Sequence, residues 1–383
     1  MFHTVSDEDI RSGRVTDVYF ERAVEILKAK KINKRVKAEF VVKRLPAGYG
    51  WGVFAGLAEC LEIFRGIDVS VKALDEGTIF RTDEPVMLVE GKYLDFCVYE
   101  TPLLGLICQA SGISTKAARC RLAAGEKRVV HFGARMMHPS ITPMIDRSSY
   151  VGGCDAVATV KGAELLGLPP AGTMPHALVL LFGDTVKATE AFDKIIDRKI
   201  NRISLVDTFN DERFESLRVA EALGKRLYGV RLDTPSSRRG NLLSIAKEVR
   251  WELDTHGYKH VKIFVSGGVD EGSILELNEV VDAYGVGTSI SNAPVLDYAM
   301  DIVEIEGVSI SKRGKRSGEK QVYYNRKTGD RLLLPVRSKP QNAGYEGLLK
   351  PFWHQGKLRQ KLPNPHEIRD YVLRQLRTHQ YSL

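Results

Sequence analysis

The chain has 383 residues, 43% of them apolar and 27% charged, a composition that excludes a disordered or fibrous protein and, at about 150 residues per domain, leaves room for two or three folding units. Its longest purely apolar run, Ala177 to Phe182, is far short of the ~20 residues that span a bilayer, and the polar, acidic start is not a basic-then-apolar leader, so a soluble cytoplasmic protein with no membrane partner is expected. The formal net charge of +8 is uneven: from Ser311 to Leu383 there are 17 Lys or Arg against 5 Asp or Glu, which leaves residues 1–310 at −4. Such a basic segment is expected to be a solvated face or one that attracts small polyanions; RNA binding through it is the non-enzyme alternative, and it lacks the aromatic platforms of the common RNA modules. The five cysteines, Cys60, Cys97, Cys108, Cys120 and Cys154, are odd in number, widely spaced and free of any CxxC pair. They are expected to be buried thiols, with no zinc site.

Residues 36–100 alternate β-type runs (Val36 to Val42, Ile67 to Val71, Pro85 to Val89) with turn signals, interrupted by one helix expected over Gly52 to Phe64, where Phe54, Leu57, Leu61 and Phe64 share a face. That predicts an N-terminal α+β domain over residues 1–118. From about residue 127, strand-like runs alternate with polar helical stretches: Arg128 to Phe132, Ala156 to Val160, Arg202 to Val206, Leu227 to Leu232, Val261 to Val265 and Val280 to Val286. This pattern is that of a parallel sheet with helical crossovers. Asp207, Asp233, Ser266-Gly267-Gly268 and Gly285-Val286-Gly287-Thr288 fall where those apolar runs end, as they do around the mouth of a β/α barrel. The fold class expected is therefore α/β, an irregular β/α barrel over residues 119–300. The remaining residues, 301–383, read as a β-hairpin-like extension, packing on the N-terminal domain and ending in an amphipathic helix from Pro365 to His379.

The chemistry-bearing residues gather at the strand ends. Glycines in the last two turns let backbone N–H groups approach an anion, and Thr288 adds a hydroxyl, which is what a phosphate needs. Asp207 and Asp233 fit Mg²⁺-bound waters or ribose hydroxyls, or serve as helix caps. Arg135 and Arg231 supply planar cations for a carboxylate or a phosphate, or form ordinary ion pairs. Together these groups point to a sugar-phosphate substrate.

In order and spacing, Thr16-Asp17-Val18-Tyr19, Phe132-Gly133-Ala134-Arg135, Gly172-Thr173-Met174-Pro175-His176, Val206-Asp207-Thr208-Phe209, Arg231-Leu232-Asp233, Ser266-Gly267-Gly268-Val269-Asp270 and Gly285-Val286-Gly287-Thr288 resemble nicotinate phosphoribosyltransferase, over residues 16–300. The resemblance implies a mixed N-terminal domain, an irregular barrel and a role in NAD biosynthesis. The implied reaction is nicotinate plus phosphoribosyl pyrophosphate to nicotinate mononucleotide and pyrophosphate, coupled to ATP hydrolysis through a phosphohistidine. By the same match His176 is the phosphoryl acceptor, and Tyr19, from the partner subunit of a homodimer, and Phe132 sandwich the pyridine ring. Arg135 lies near its carboxylate, Asp207 and Asp233 near the ribose and Mg²⁺, and Arg231, Ser266, Gly267, Gly268, Gly285, Gly287 and Thr288 around the phosphoribosyl group. The chain departs from the family pattern at Met136, where many relatives have a second arginine, and at Thr234-Pro235-Ser236-Ser237, which lacks a second aspartate; Arg238 and Arg239 follow directly.

A nicotinamide enzyme is the alternative within the family, and Asp155 is the carboxylate that would hold the amide. A quinolinate enzyme fits the His176 segment and the Thr16 to Tyr19 string less well. An aldolase or isomerase with a Schiff-base lysine would have to use Lys161, which reads as a solvated loop residue.

Overall fold

The structure is a computed structural model that describes residues 2–379 and 381–383. It divides into two compact units. The first comprises the residues up to Thr115, Val151–Gly153 and Pro294–Ser382; the second comprises Lys116–Tyr150 and Cys154–Ala293.

In the first unit the alternating pattern of the early sequence becomes strands Arg35–Val42, Val69–Ala73 and Pro85–Lys92, hydrogen-bonded antiparallel with Pro85–Lys92 in the middle. The seven-stranded sheet is completed from the far end of the chain: Tyr298–Ile305 pairs with Arg35–Val42, and Lys350–His354 with Val69–Ala73. Phe40, Phe54, Phe64, Phe80, Phe96 and Phe352 are buried in its core. The helix expected over Gly52 to Phe64 is shorter, Leu57–Ile63, and Gly52–Val53 is a strand. The break falls at Gly56, whose φ of +97° and lack of a Cβ are both required, because a Cβ there would lie 2.9 Å from the Leu106 carbonyl oxygen.

The basic C-terminal residues belong to this unit, and several of them neutralise its acidic groups. Lys312 and Lys315 meet Asp301, Lys320 meets Glu39, Arg331 takes Glu84 through two 2.7 Å hydrogen bonds, and Lys350 meets Asp75. Part of the charge surplus is thus internal neutralisation. The closing helix is Pro365–Thr378, started by an Asn364 capping box.

Among the described residues one helical stretch, Tyr93–Ala124, is long and apolar enough to cross a bilayer by length and composition, and half of that apolar window is buried. Leu103 and Ile107 sit in the first unit's core, while Lys116 and Arg119 pair with Glu271 in the second, as suits a core helix.

The second unit is a six-stranded, wholly parallel sheet. Its strands are Arg128–His131, Ala156–Val157, Ile203–Leu205, Gly229–Leu232, Lys262–Ser266 and Ala283–Val286. Ala283–Val286 pairs with Arg128–His131, so the last strand rejoins the first, as barrel closure requires, while the Ala156–Val157 and Ile203–Leu205 edges stay unpaired with each other. This is the irregular β/α barrel expected from the sequence. All six strands run the same way, so all their C-terminal ends lie on one side. The helices between them start on side-chain caps, Thr159 for Val160–Leu166, Asp211 for Glu212–Leu223 and Asn241 for Leu242–Thr255.

Candidate active site

At those C-terminal ends the second unit holds a cavity of about 750 Å³, lined by Phe132, Arg135, His176, Arg231, Asp233, Ser266, Gly267, Gly268, Gly285, Gly287 and Thr288. Residues scattered over 150 positions of sequence therefore share one wall because most of them follow, or end, a parallel strand, while His176 joins them from the connection between two helices, Val160–Leu166 and His176–Phe182. Its volume is that of a pocket for a drug-sized or nucleotide-sized molecule.

Arg231 is the hub. Its Nε donates to Ser266 Oγ, Nη1 to Thr173 Oγ1 and Nη2 to Asp233 Oδ2, each at 2.9 Å. Ser266 in turn donates to Asp233 Oδ1 at 2.6 Å, so both carboxylate oxygens of Asp233 are engaged. The guanidinium carbon lies 5.4 Å from the centroid of the Phe132 ring, a cation–π distance that holds the ring in place. The ring also leans on Gly285, where a Cβ would come within 2.4 Å of it. Gly285 thus makes room for an aromatic wall.

The two glycines after Ser266 differ from it and from each other. Both have positive φ, +82° for Gly267 and +74° for Gly268. A Cβ on Gly267 would press on Asp233, at 3.0 Å from Oδ1, whereas one on Gly268 would meet nothing within 4 Å. Successive glycines in this conformation turn backbone N–H groups to one side, a concavity suited to an anion, and the empty space is at Gly268.

His176 is the first residue of the His176–Phe182 helix, set there by Pro175 at the N-cap. Its side chain is 41% exposed, and Nε2 lies 3.1 Å from Oδ2 of Asp207, which is 2% exposed. Asp207 does not line the cavity but stands behind His176. Burial pushes the Asp207 carboxyl up, opposed by the hydrogen bond from His176 and helped by the nearby Asp233 charge. Its second oxygen, Oδ1, is buried without a hydrogen-bond partner among the described residues.

Arg135 differs from Arg231 in every respect. It lies on the short Ala134–Met136 turn, is exposed, lines the cavity and makes no hydrogen bond or ion pair with any described residue. Met136 beside it also faces the cavity. Arg239 donates to the Thr234 carbonyl, which bolts down the loop after Asp233. Tyr19 belongs to the first unit, in the opening turn of the Val18–Ala29 helix, with its ring exposed beside Phe20.

Two residues weighed in the sequence have ordinary structural work. Asp155 accepts the Val129 N–H at 2.8 Å and pairs with Arg121 at 3.2 Å, which removes it as the holder of an amide substrate. Lys161 is exposed and paired with Glu164. Sequence reasoning passed over Thr173 as a partner of Arg231, although it lies in the quoted Gly172 to His176 string. It also missed the buried His131 and Asp146 behind the wall, which no motif marks.

The matches to known proteins agree with this geometry. Residues 17–111 match the N-terminal domain of quinolinate phosphoribosyl transferase and residues 113–301 its C-terminal domain. A nicotinate phosphoribosyltransferase of Mycobacterium tuberculosis is 30% identical over 94% of this chain and 86% of its own, and one of Bacillus subtilis is 30% identical over 71% and 62%. The crystal structure of nicotinate-nucleotide pyrophosphorylase from Pyrococcus furiosus is 50% identical, with a TM-score of 0.98, covering 100% of this chain and 99% of that one. Human nicotinic acid phosphoribosyltransferase shares the fold, with a TM-score of 0.78 at 23% identity over 95% and 94%. A barrel mouth furnished with an anion cradle, a caged aromatic ring and one free guanidinium, on a chain with these relatives, places the protein in the nicotinate phosphoribosyltransferase family of the phosphoribosyltransferases.

Proposed function

We propose that this chain joins nicotinate to the phosphoribosyl group of phosphoribosyl pyrophosphate, releasing nicotinate mononucleotide and pyrophosphate. The observation that carries the choice of base is Arg135. Of the two arginines named in the cavity, Arg231 already gives three of its five N–H donors to Thr173, Asp233 and Ser266 and is charge-paired with Asp233, whereas Arg135 is uncommitted and is the one to take a carboxylate beside the Phe132 ring. One free cation suits a monocarboxylate. Quinolinate, favoured by the name of the matching family model, brings a second carboxylate, and at the adjacent position stands Met136.

The reaction forms a bond from the pyridine nitrogen lone pair to C1′ and breaks the bond from C1′ to pyrophosphate, whose electron pair leaves with the oxygen. No protein nucleophile is needed. Catalysis consists of aligning the base and stabilising charge that develops on ribose and leaving group. Phe132 stacks on the base, Gly268 and its neighbours hold the 5′-phosphate, and Asp233, fixed by Arg231 and Ser266, faces the ribose. Mg²⁺ fits this site: Asp207 Oδ1 is a buried carboxylate oxygen without a partner, and Asp233 is close enough to raise the Asp207 carboxyl. Asp207 and Asp233 would hold the ion, largely through water, and it would neutralise pyrophosphate.

His176 is assigned the ATP coupling. The Asp207 carboxylate accepts, so Nε2 carries the proton and Nδ1 keeps a lone pair for the γ-phosphoryl group. The His176–Phe182 helix leaves Leu180 and Leu181 exposed, and the Val18–Ala29 helix does the same with Val18, Tyr19 and Ile26. Both faces support the dimer in which Tyr19 stacks on the base of the partner's site.

The deciding assay follows product formation from phosphoribosyl pyrophosphate with nicotinate, nicotinamide or quinolinate, with and without ATP. Nicotinate is expected to be turned over best, and Arg135→Ala to lose roughly 10- to 100-fold in kcat/KM for it, the worth of a charged hydrogen bond. Equal or better turnover of another base overturns the assignment. With γ-labelled ATP the wild type is expected to acquire an acid-labile, base-stable label and His176→Ala none, while the variant keeps a basal, ATP-independent transfer; a labelled variant places the acceptor elsewhere.

A further inference from the structure

The loop that carries Phe132, Arg135 and Met136 leaves the Arg128–His131 strand, passes through the turns Ala134–Met136 and Pro139–Ile141, and enters the helix Thr142–Val151. Its two ends are tied to each other. His131, the last residue of the strand, and Asp146, on the helix, are both 0% exposed, and His131 Nδ1 lies 2.7 Å from Asp146 Oδ1. The other carboxylate oxygen accepts the Thr159 hydroxyl, and Thr159 accepts the Gly162 N–H at 3.2 Å as cap of the next helix. Thr159 directly follows Ala158, another residue of the cavity wall.

The geometry separates this group from the reacting side. The strand ladder continues one residue beyond His131, with the Phe132 N–H donating to the Val286 carbonyl at 2.8 Å. Alternation along a strand then puts Phe132 on the cavity face and His131 on the face behind it. Space at the group is closed as well, since a Cβ on Gly162 would lie 2.1 Å from Asp146 Oδ2. A carboxylate only accepts, so Nδ1 of His131 is the donor, and Nε2 is left buried with no hydrogen-bond partner among the described residues. A phenylalanine at this position would avoid that unsatisfied nitrogen; what the imidazole contributes is the bond to Asp146.

We propose that His131 and Asp146 form a clasp that closes the base of the loop from Phe132 to Ile145 and thereby sets where Phe132 and Arg135 stand. Both are positioning residues for the pyridine base; neither touches it. The clasp rests on the reading of Phe132 and Arg135 as the base-binding pair.

The test measures KM for nicotinate and for phosphoribosyl pyrophosphate separately, together with nicotinate affinity by calorimetry and thermal unfolding. It compares wild type with His131→Phe, His131→Asn and Arg135→Ala. His131→Phe, which keeps a planar ring without the donor, is expected to raise the nicotinate KM and Kd on the order of tenfold or more, with the other KM within about twofold, as misplacement of a binding group does. His131→Asn retains an N–H near Asp146 and is expected to recover most of that loss. If His131→Phe does not fold, Thr159→Val, which removes the hydroxyl's bond to Asp146 together with its cap on the Gly162 N–H, is expected to give a smaller rise for nicotinate alone. Unchanged nicotinate binding in folded variants, or a parallel rise of both KM values, reduces the pair to a stabilising contact and overturns the clasp, and so does failure of the asparagine to recover binding. If Arg135→Ala binds nicotinate normally, it is the base-binding reading that fails, and the clasp's assigned role falls with it; loss in Arg135→Ala but not in His131→Phe overturns the clasp alone.

Discussion

In the first unit Glu39, Glu84, Asp301 and Glu319 are buried, and each is met by at least one lysine or arginine: Lys320, Arg331, Lys312 with Lys315, and Lys37 with Lys72. At the mouth of the second unit the matching is left incomplete. Among the described residues Arg135 has no hydrogen-bond or ion-pair partner and Asp207 keeps one oxygen bare, and His176 offers a nitrogen to solvent. Charges that are fully paired inside a protein hold its shape, and removing one partner leaves the other stranded. Charges with spare capacity around a cavity are poised for something that is absent until substrate arrives. Arg231 and Asp233 stand between these cases, paired with each other yet facing the cavity, so that their geometry is set before any ligand binds.

The comparison breaks most sharply at Asp233. Asp233→Ala releases Arg231 and Ser266 together and is expected to lower kcat/KM by roughly 10³-fold, with little change in thermal stability, because a preorganised charge at the reacting centre is lost. A large fall in melting temperature with modest kinetic loss would put Asp233 on the structural side. Arg331→Leu is the opposite case. It strands Glu84 in a site where both side chains are under 10% exposed; at about 3–5 kcal/mol for a broken buried pair, the melting temperature should fall by roughly 6–20 °C. Both KM values should stay at wild type, and a change in either would show that the first unit's ion pairs reach the chemistry.

The smallest effect is a pH dependence. Glu100, in the first unit at the start of the Glu100–Ala124 helix, is pushed up to about 7 by burial, with the Asp301 and Asp17 charges adding and Lys312 opposing. Between the ordinary carboxylate range and about 7 the folded state holds a proton that the unfolded chain has lost. The contribution is therefore full in acid and disappears as pH rises to about 7. Glu100→Gln should raise the melting temperature at pH 8 and leave it nearly unchanged at pH 5; equal shifts at both would mean that Glu100 does not titrate there.

The barrel was legible because strand-end polar residues punctuate short apolar runs, and each of its six strands falls within or next to the run that predicts it. Most of the site followed, since Phe132, Arg135, Arg231, Asp233 and the glycines sit at or just after those ends, whereas His176, between two helices, was marked by the family resemblance. What sequence pattern did not carry has physical reasons. The Glu100–Ala124 helix is apolar on most of its sides, so no single face repeats at helical spacing. The boundary drawn at residue 300 cuts through the Tyr298–Ile305 strand, because its pairing with Arg35–Val42, more than 250 residues earlier, leaves no local trace. His131 and Asp146 are fifteen positions apart and become a pair only when a loop folds back, which periodicity cannot express.

That late strand also dictates an order of events. Arg35–Val42 gains one neighbour, Pro85–Lys92, almost at once, but its other edge belongs to Tyr298–Ile305. At about 5–20 residues per second the ribosome needs on the order of 10–40 s to make the intervening chain. Throughout that interval a buried, β-branched strand has a free row of amides and carbonyls, the kind of edge on which chains join one another. The second unit, whose sequence is complete by Ala293, can be finished while the first still waits for its own last strands, so the nascent protein passes through a stage in which the catalytic barrel is made and the domain that precedes it is not.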